Sequence, residues 1–336
     1  MFARIVWACA AAPKPARKSL WPRIRSYSTY NDAVGLSGSR SGMQGRSRVF
    51  LCLAATVLYL TAQALGSVIT LDPPQSGTDP TRSTTASAVS GSTVVGYYRS
   101  GFIGNYHGFS YNAGTYTTLD YPSATQTFPG AVSGTMVVGD YDDSSFHPHG
   151  FIYDGVHFTS FEPPAGTNDL RVHGLYNGTI VGFVGLTSGH GFSYDGSTYT
   201  LLDYPGATST SAEGIYQNEI VGYYVDAASV DHGFIYDGSN YTSLDFPGAQ
   251  DTFAYGISGG TIVGAYYINS AYHGFVYDGS TFSTFDVGSN TQIFDISGNT
   301  VVGSANQRGF LATVPEPSTV TLCGSLLFAF AVSRRR

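Results

Sequence analysis

The chain has 336 residues and a formal net charge of −7, with 42 glycines, 25 tyrosines and 21 phenylalanines but only 12% charged residues. Between residues 65 and 314, four arginines stand against 21 carboxylates, which gives this segment a formal charge of −17. Such an acidic segment excludes binding to nucleic acid or to anionic lipid headgroups, because both need basic patches. All three cysteines lie outside it, so it holds no disulfide and no thiolate metal site.

The N-terminal part of the chain reads as two segments. Residues 1–42 are basic and unlike the rest, which indicates an upstream extension or a mis-assigned start. From Met43, two arginines precede the apolar run 49–60, and Ala62-Gln63-Ala64 follows with the A-x-A form of a cleavage site. We therefore expect a secretory signal peptide over 43–64. The alternative, a membrane anchor, needs a longer apolar run, since a helical span takes about 20 residues.

The C-terminal segment 315–336 contains a Pro-Glu-Pro motif, an apolar run over 319–332 and a terminal arginine cluster. It resembles the PEP-CTERM sorting signal in all three parts and in their order. The resemblance implies a Gram-negative bacterium, export to the cell surface or medium, cleavage by an exosortase-type enzyme, and a link to exopolysaccharide and biofilm. By the positive-inside rule, the precursor would be held transiently in the inner membrane with its arginines in the cytoplasm; a permanent anchor is the alternative. The sorting residues are Val314, Pro315, Glu316, Pro317, Arg334, Arg335 and Arg336.

Between these ends, one unit recurs six times, with first spacings of 42, 41, 42 and 41 residues. Its marker is His-Gly-Phe, which degenerates to Arg308-Gly309-Phe310 in the last copy. Because the histidines recur with the unit, we expect them to be structural hydrogen-bonding residues spread around the fold, with a metal or ligand role as the alternative. They are His107, His149, His190, His232 and His273.

Each unit contains four short β-branched and aromatic runs, and an Asp-Gly hairpin signal recurs between the last two. Four strands in about 40 to 45 residues match the size of a β-propeller blade. Residues 68–74 resemble the fourth strand of a unit, and the last unit stops after Leu311 without that strand. We therefore predict an all-β, six-bladed propeller over 65–314, with four-stranded antiparallel blades closed by an N-terminal strand. An open β-repeat solenoid is the alternative.

The unit also resembles the extracellular HAF repeats, which are named for a His-Ala-Phe motif and often occur in proteins with PEP-CTERM tails. Glycine replaces the alanine in every copy here. The resemblance spans essentially 68–314 and implies secretion, but it brings no activity with it.

The loops between the second and third strands differ in length and chemistry, and variable loops on a rigid scaffold commonly bind ligands. Their tyrosines and carboxylates suit stacking on sugar rings or oxygen coordination of Ca²⁺, although no cofactor is required. We predict a non-enzymatic propeller in the cell-surface, exopolysaccharide or biofilm matrix, which binds carbohydrate or surface proteins. The candidate ligand face comprises Tyr98, Tyr106, Tyr141, Asp142, Asp143, Tyr224, Asp226, Tyr267 and Tyr272.

The competing hypothesis is a carbohydrate-active propeller hydrolase. An enzyme should carry carboxylates or histidines that are absent from sibling blades and converge on the axis. The histidines outside the repeat position, His147, His157 and His173, fall at different places in their units, which favours binding over catalysis. Residues 256–260 match G-x-S-x-G in form, but they span a predicted hairpin, whereas a nucleophile elbow needs a strand-to-helix turn. We therefore predict no catalytic residue.

Overall fold

The computed structural model describes residues 67–74, 82–99, 101, 103–164, 167, 169–185 and 188–314. Within these ranges, 24 strands form six four-stranded antiparallel sheets arranged as the blades of a propeller. The predicted all-β class, the six blades and the four strands in each are thereby confirmed. The predicted extension, signal peptide and sorting tail lie outside the described residues, apart from Val314. No described helix is long and apolar enough to cross a membrane.

The strands follow the repeat in chain order. Strand β1 and blades one to three are β1 (Ile69–Leu71), β2 (Ser83–Ser90), β3 (Thr93–Arg99), β4 (Tyr106–Asn112), β5 (Thr115–Thr118), β6 (Gln126–Ser133), β7 (Met136–Asp142), β8 (Pro148–Tyr153), β9 (Phe158–Phe161), β10 (Leu170–Tyr176), β11 (Thr179–Val184), β12 (His190–Tyr194) and β13 (Tyr199–Leu202). Blades four to six are β14 (Ser209–Tyr216), β15 (Glu219–Val225), β16 (Asp231–Tyr236), β17 (Tyr241–Leu244), β18 (Asp251–Ser258), β19 (Thr261–Ile268), β20 (Ala271–Tyr277), β21 (Phe282–Thr284), β22 (Gln292–Ser297), β23 (Thr300–Ala305) and β24 (Arg308–Thr313).

The packing of each blade explains why the Val-Gly and His-Gly-Phe motifs recur in step. In the first blade, Gly96 of β3 lies opposite Phe109 of β4. A Cβ at Gly96 would lie 2.1 Å from the Thr85 carbonyl oxygen, so only glycine allows this approach. The Phe109 ring fills the space beside it and is 1% exposed. Burying one phenylalanine side chain stabilises the folded state by about 1.5–3 kcal/mol, and each blade buries one such phenylalanine.

The first strand of every blade faces the centre of the ring. These inner strands are β2, β6, β10, β14, β18 and β22, and each contacts the inner strand of the next blade until β22 returns to β2. All six carry a β-bulge at the same place, where one residue drops out of register with the second strand. A bulge re-aims a side chain and bends its strand.

The ring is closed by the N-terminal strand. Strand β1 pairs antiparallel with β24, with Ile69 opposite Leu311 and Leu71 opposite Gly309. Asp72 next to β1 accepts hydrogen bonds from Arg308 and, at 3.1 Å, from Arg82. The strand missing from the last unit is therefore supplied by the first, as the sequence predicts, and the open-solenoid alternative is excluded.

Candidate functional site

The five repeated histidines occupy one equivalent position at the ends of the third strands. Each Nδ1 lies within hydrogen-bonding distance of a carboxylate 13 residues later, and the sixth blade replaces the pair by Arg308 and Asp72. The pairs are His107–Asp120 (2.9 Å), His149–Glu162 (2.9 Å), His190–Asp203 (2.8 Å), His232–Asp245 (3.0 Å) and His273–Asp286 (2.7 Å). These contacts tie the third strand to the chain beyond the fourth strand, and they are distributed around the ring.

Three tyrosines of the predicted ligand face pack inside their blades instead. Tyr141 stacks on Tyr121 with a 3.7 Å centroid distance, and the ring of His149 lies 5.2 Å away. Tyr224 is arranged in the same way: its ring centroid lies 3.6 Å from that of Tyr204 and 5.1 Å from that of His232. Tyr98 is 4% exposed. Their repeat position places these rings against protein rings, and a role for them in ligand binding stays a prediction.

Five other residues of the predicted face make contacts within their own blades. Asp143 and Asp226 each accept hydrogen bonds from two backbone N–H groups of their own loop, which lowers their pKa. Asp142 accepts one from a glutamine of the inner strand, and Tyr267 and Tyr272 pack together at 5.0 Å. In the described part of the chain, no group of three or more His, Cys, Asp or Glu side chains is placed to hold a metal ion.

A cavity of about 390 Å³ lies where the inner strands surround the axis, towards the ends at which these strands begin. The blade connections and the second-to-third strand loops reach the same end, so the cavity lies on the predicted variable-loop side. Of the predicted face, Tyr106 lines it. Its wall comes mainly from the inner strands, which the sequence analysis did not select as a site.

The bulged residue of every inner strand lines this cavity, so each blade contributes one residue at an equivalent axial position. In blade two this residue is glycine, because a Cβ there would lie 1.8 Å from the Val172 carbonyl oxygen. The other five side chains differ completely in chemistry. The axial residues are Ser87, Gly130, His173, Glu213, Tyr255 and Phe294.

The first polar contact of the cavity joins blades two and three. Asp140 is 3% exposed, and its carboxylate accepts hydrogen bonds from Arg171 at 2.9 Å and from the Val172 N–H at 3.1 Å. Burial raises the pKa of Asp140, while the charge of Arg171 and the Val172 N–H oppose that rise. The Asp140 charge in turn raises the pKa of Arg171, with a further contribution from Asp169 at 3.6 Å. The guanidinium is therefore fixed in its charged form.

The second polar contact joins blades three and four. His173 Nδ1 lies 3.1 Å from Glu213 Oε2, and Ser211 Oγ donates to the other carboxylate oxygen at 2.6 Å. Burial opposes protonation of His173, but the Glu213 charge and hydrogen bond outweigh it, so the His173 pKa is raised. No sibling blade carries this pair. By contrast, the side chains of His147 and His157 are 70% and 79% exposed on loops.

Aromatic rings form the rest of the wall on both sides of this polar arc. Tyr97, Tyr106 and Phe128 from blades one and two lie 5.2–5.5 Å from one another. Tyr255 and Phe294 from blades five and six lie 5.3 Å apart. Burial raises the pKa of the Tyr97 and Tyr255 hydroxyls, which therefore stay protonated donors. The site thus combines flat apolar surfaces with fixed polar groups.

Below the main cavity, a narrow extension of about 40 Å³ shares His173, Glu213, Tyr255 and Phe294 and reaches Asp295. Asp295 accepts hydrogen bonds from the N–H groups of Val89 and Ile296, both at 2.8 Å. Burial raises its pKa to about 7, although these two donors lower it. The sibling blades have alanine or glycine at this place. Asp295 is therefore a carboxylate peculiar to the sixth blade.

No family model matches the chain, and no curated protein matches it either. Among solved structures, a putative TolB from Agrobacterium tumefaciens superposes with a TM-score of 0.51 at 11% identity, over 75% of this chain and 99% of that chain. A fungal lectin from Aleuria aurantia, described as a six-bladed β-propeller with a fucose recognition mode, gives 0.43 at 14% identity over 71% and 97%. The SapL1 lectin bound to α-methyl fucoside gives 0.47 at 12% identity over 70% and 97%. At these identities the likeness concerns the propeller fold alone.

Proposed function

We propose that this protein is a secreted, non-enzymatic propeller that binds carbohydrate in its axial cavity. The observation that carries the proposal is the composition of the cavity: aromatic rings from blades one, two, five and six flank a polar arc from blades two to four. Sugars present apolar C–H faces and hydroxyl groups together, and such a wall suits both. The volume of about 390 Å³ also falls in the range of about 300–1,000 Å³ common for ligand pockets.

The proposed place of action is the cell surface or the exopolysaccharide and biofilm matrix of a Gram-negative bacterium. The sorting signal over 314–336 and the leader over 43–64 support this half of the proposal. An exosortase-type enzyme would be the processing partner, and exopolysaccharide or surface proteins would be the partners after release. The excess of 17 negative charges in the mature segment suits a soluble extracellular domain.

A glycan array followed by calorimetry with the mature protein tests the proposal. Tyr106→Ala removes a cavity ring and is expected to weaken sugar binding at least about tenfold, the order of one lost stacking contact. Phe146→Ala is the matched control, because Phe146 is an exposed aromatic residue on the variable-loop side that does not line the cavity. Loss of binding in the Phe146 variant but not in the Tyr106 variant would place the site on the loops instead.

A hydrolase is retained as a second candidate because His173 and Glu213 meet on the axis and have no counterparts in sibling blades. A histidine beside a carboxylate is suited to moving a proton, although such pairs also serve structure. Incubation of the mature protein with a bound oligosaccharide, followed by measurement of new reducing ends, separates the two functions. A binding protein leaves the ligand intact, whereas an enzyme releases reducing ends in the wild type but not in Glu213→Gln.

A further inference from the structure

We propose that the axial cavity selects neutral or amino-bearing sugar units and rejects sugars that carry carboxylate, sulfate or phosphate groups. This inference rests on the proposed carbohydrate binding and names the chemical class of the ligand. It follows from how the charges in the cavity are paired, from the field of the whole propeller and from the aromatic walls.

The arginine of the cavity is already paired with carboxylates of the protein. Arg171 donates to Asp140 at 2.9 Å and has Asp169 at 3.6 Å, so two carboxylates already share its charge. Its guanidinium carbon also lies 6.0 Å from the centre of the Phe128 ring. Breaking such a partly buried pair to bind a ligand carboxylate would leave Asp140 buried without its partner, which is costly.

The histidine of the cavity is paired in the same way. His173 holds Glu213 at 3.1 Å, so its positive charge, when present, is matched by a carboxylate. In the wall, the carboxylates of Asp140 and Glu213 face Arg171 and His173, and Asp169 outside the wall adds a third carboxylate beside Arg171, so carboxylates outnumber the cationic side chains of this cluster in either protonation state of the histidine. An anionic ligand would find no unpaired cation in this cluster, and a desolvated charge without a partner is strongly unfavourable.

The charge around the cavity acts in the same direction. The mature segment carries a formal charge of −17, and Asp231 and Asp251 lie together between blades four and five, where the Asp231 N–H donates to the Asp251 carboxylate at 3.2 Å. Burial, together with the neighbouring Asp251 charge, raises the pKa of Asp231 to about 6. At physiological salt the screening length is about 8 Å, so a polyanion that approaches the ring meets repulsion before contact.

The same features favour an ammonium group. A cation near the faces of Tyr97, Tyr255 or Phe294 is attracted by the negative face of the ring quadrupole. The excess of carboxylates adds a favourable electrostatic contribution. A neutral sugar lacks both this gain and the penalty of an anion, so the expected order of affinity is amino sugar, neutral sugar and then uronate.

Calorimetry with three oligosaccharides of equal length and linkage, built from glucose, glucosamine or glucuronate units, tests the inference on the mature protein. We expect the glucuronate ligand to bind at least about tenfold more weakly than the glucose ligand, and the gap to narrow as salt increases. Equal or tighter binding of glucuronate would overturn the inference and leave carbohydrate binding intact. If none of the three ligands and no sugar on the array binds, both proposals fail.

Charge-removing variants give a readout that a folding defect cannot imitate, because the measured quantity is a ratio of affinities. Glu213→Gln is expected to bring glucuronate binding closer to glucose binding and to reduce the preference for glucosamine. Asp169→Asn should do the same to a smaller extent, since it is outside the wall of the cavity. Glu219→Gln removes an equal charge from an exposed hairpin on the other side of the ring and serves as the control. A change of the same size in the control would overturn the local assignment.

Discussion

Leu71→Ala tests whether one buried leucine holds the ring closed. Leu71 is fully buried and packs with Ala86, Val89, Val94 and Val302 of the two blades that meet at the closure. Its strand has only three residues and is joined to the sixth blade by no hairpin. The substitution removes apolar contacts from the blade whose fourth strand comes from the other end of the described chain and is held there by non-covalent contacts.

The magnitude follows from four contributions to the free energy of docking strand β1. A buried Leu→Ala change costs about 2–5 kcal/mol. The few ladder hydrogen bonds of strand β1 contribute about 1–4 kcal/mol in total, and the partly exposed pair of Asp72 and Arg308 at most about 1 kcal/mol. Ordering three residues costs about 3–6 kcal/mol. Without the leucine, the remaining contacts contribute about 1–5 kcal/mol against this ordering cost of about 3–6 kcal/mol, so we expect the strand to detach and expose the edge of β24.

The assay combines urea unfolding, size-exclusion chromatography with light scattering, and hydrogen exchange. Leu244→Ala is the matched control, because Leu244 is 5% exposed at the corresponding place of blade four but belongs to a hairpin-linked strand. Both variants should lose about 2–5 kcal/mol of unfolding free energy. Only Leu71→Ala should lose exchange protection at the amides of β24 and form concentration-dependent oligomers, since an unpaired edge recruits other chains.

A Leu71→Ala protein that stays monomeric, with protection of β24 equal to that of the control, would refute this account of closure. Deleting residues 65–75 is the stronger form of the same test. The truncated protein should lose thermal stability and aggregate, because the whole closing strand is absent. An unchanged melting temperature would contradict the six-bladed ring itself.

Two further predictions concern Asp295, in the narrow extension of the cavity, and the sorting tail. Asp295 has a folded pKa of about 7, above the ordinary value of about 3.9, so the folded protein binds more protons in this range and loses unfolding free energy as pH rises from about 4 to 7. Asp295→Asn should remove that loss, and urea unfolding at about pH 5 and pH 8 measures it; an equal pH dependence in both proteins would contradict the assignment. Pro315→Ala with Pro317→Ala should leave an unprocessed, membrane-retained precursor in the native host, and normal release seen on immunoblots of cell fractions would remove the exosortase hypothesis.

The fold was predictable because the repeat multiplies every local signal. Asp-Gly is a strong local signal for a hairpin, and its recurrence at Asp154, Asp195, Asp237 and Asp278 marks the hairpin between the third and fourth strands in four of the six blades. Closure was equally visible, since the surplus strand at one end matches the strand missing at the other. Such arguments need only local propensity and the rule that sheet edges must be covered.

The axial site was not predicted, for a physical reason. The loops stand out in the sequence because their lengths vary, whereas the axial residues lie in strands of similar length and differ only in residue type. Their position depends on a bulge, which sequence periodicity does not reveal, because an extra residue reverses the alternation within the strand. Tyr141 shows what the sequence also hides: it stands next to a variable loop in the sequence, and in the structure its ring stacks on the ring of Tyr121.

The repeat itself indicates where chemistry can differ between blades. Positions that build the blade are held to one chemical type, as with the glycine opposite each buried phenylalanine, because a Cβ there would enter the inner strand. The bulged position faces the cavity and is not held to one residue type, although in blade two a Cβ would meet the Val172 carbonyl oxygen; it reads Ser, Gly, His, Glu, Tyr and Phe around the ring. A repeat position whose residue type varies between blades, while its neighbours stay constant, is open to selection by a ligand. An axial site made from one residue of each blade is asymmetric although its scaffold is repetitive, and this asymmetry would suit the asymmetric sugar that we propose as the ligand.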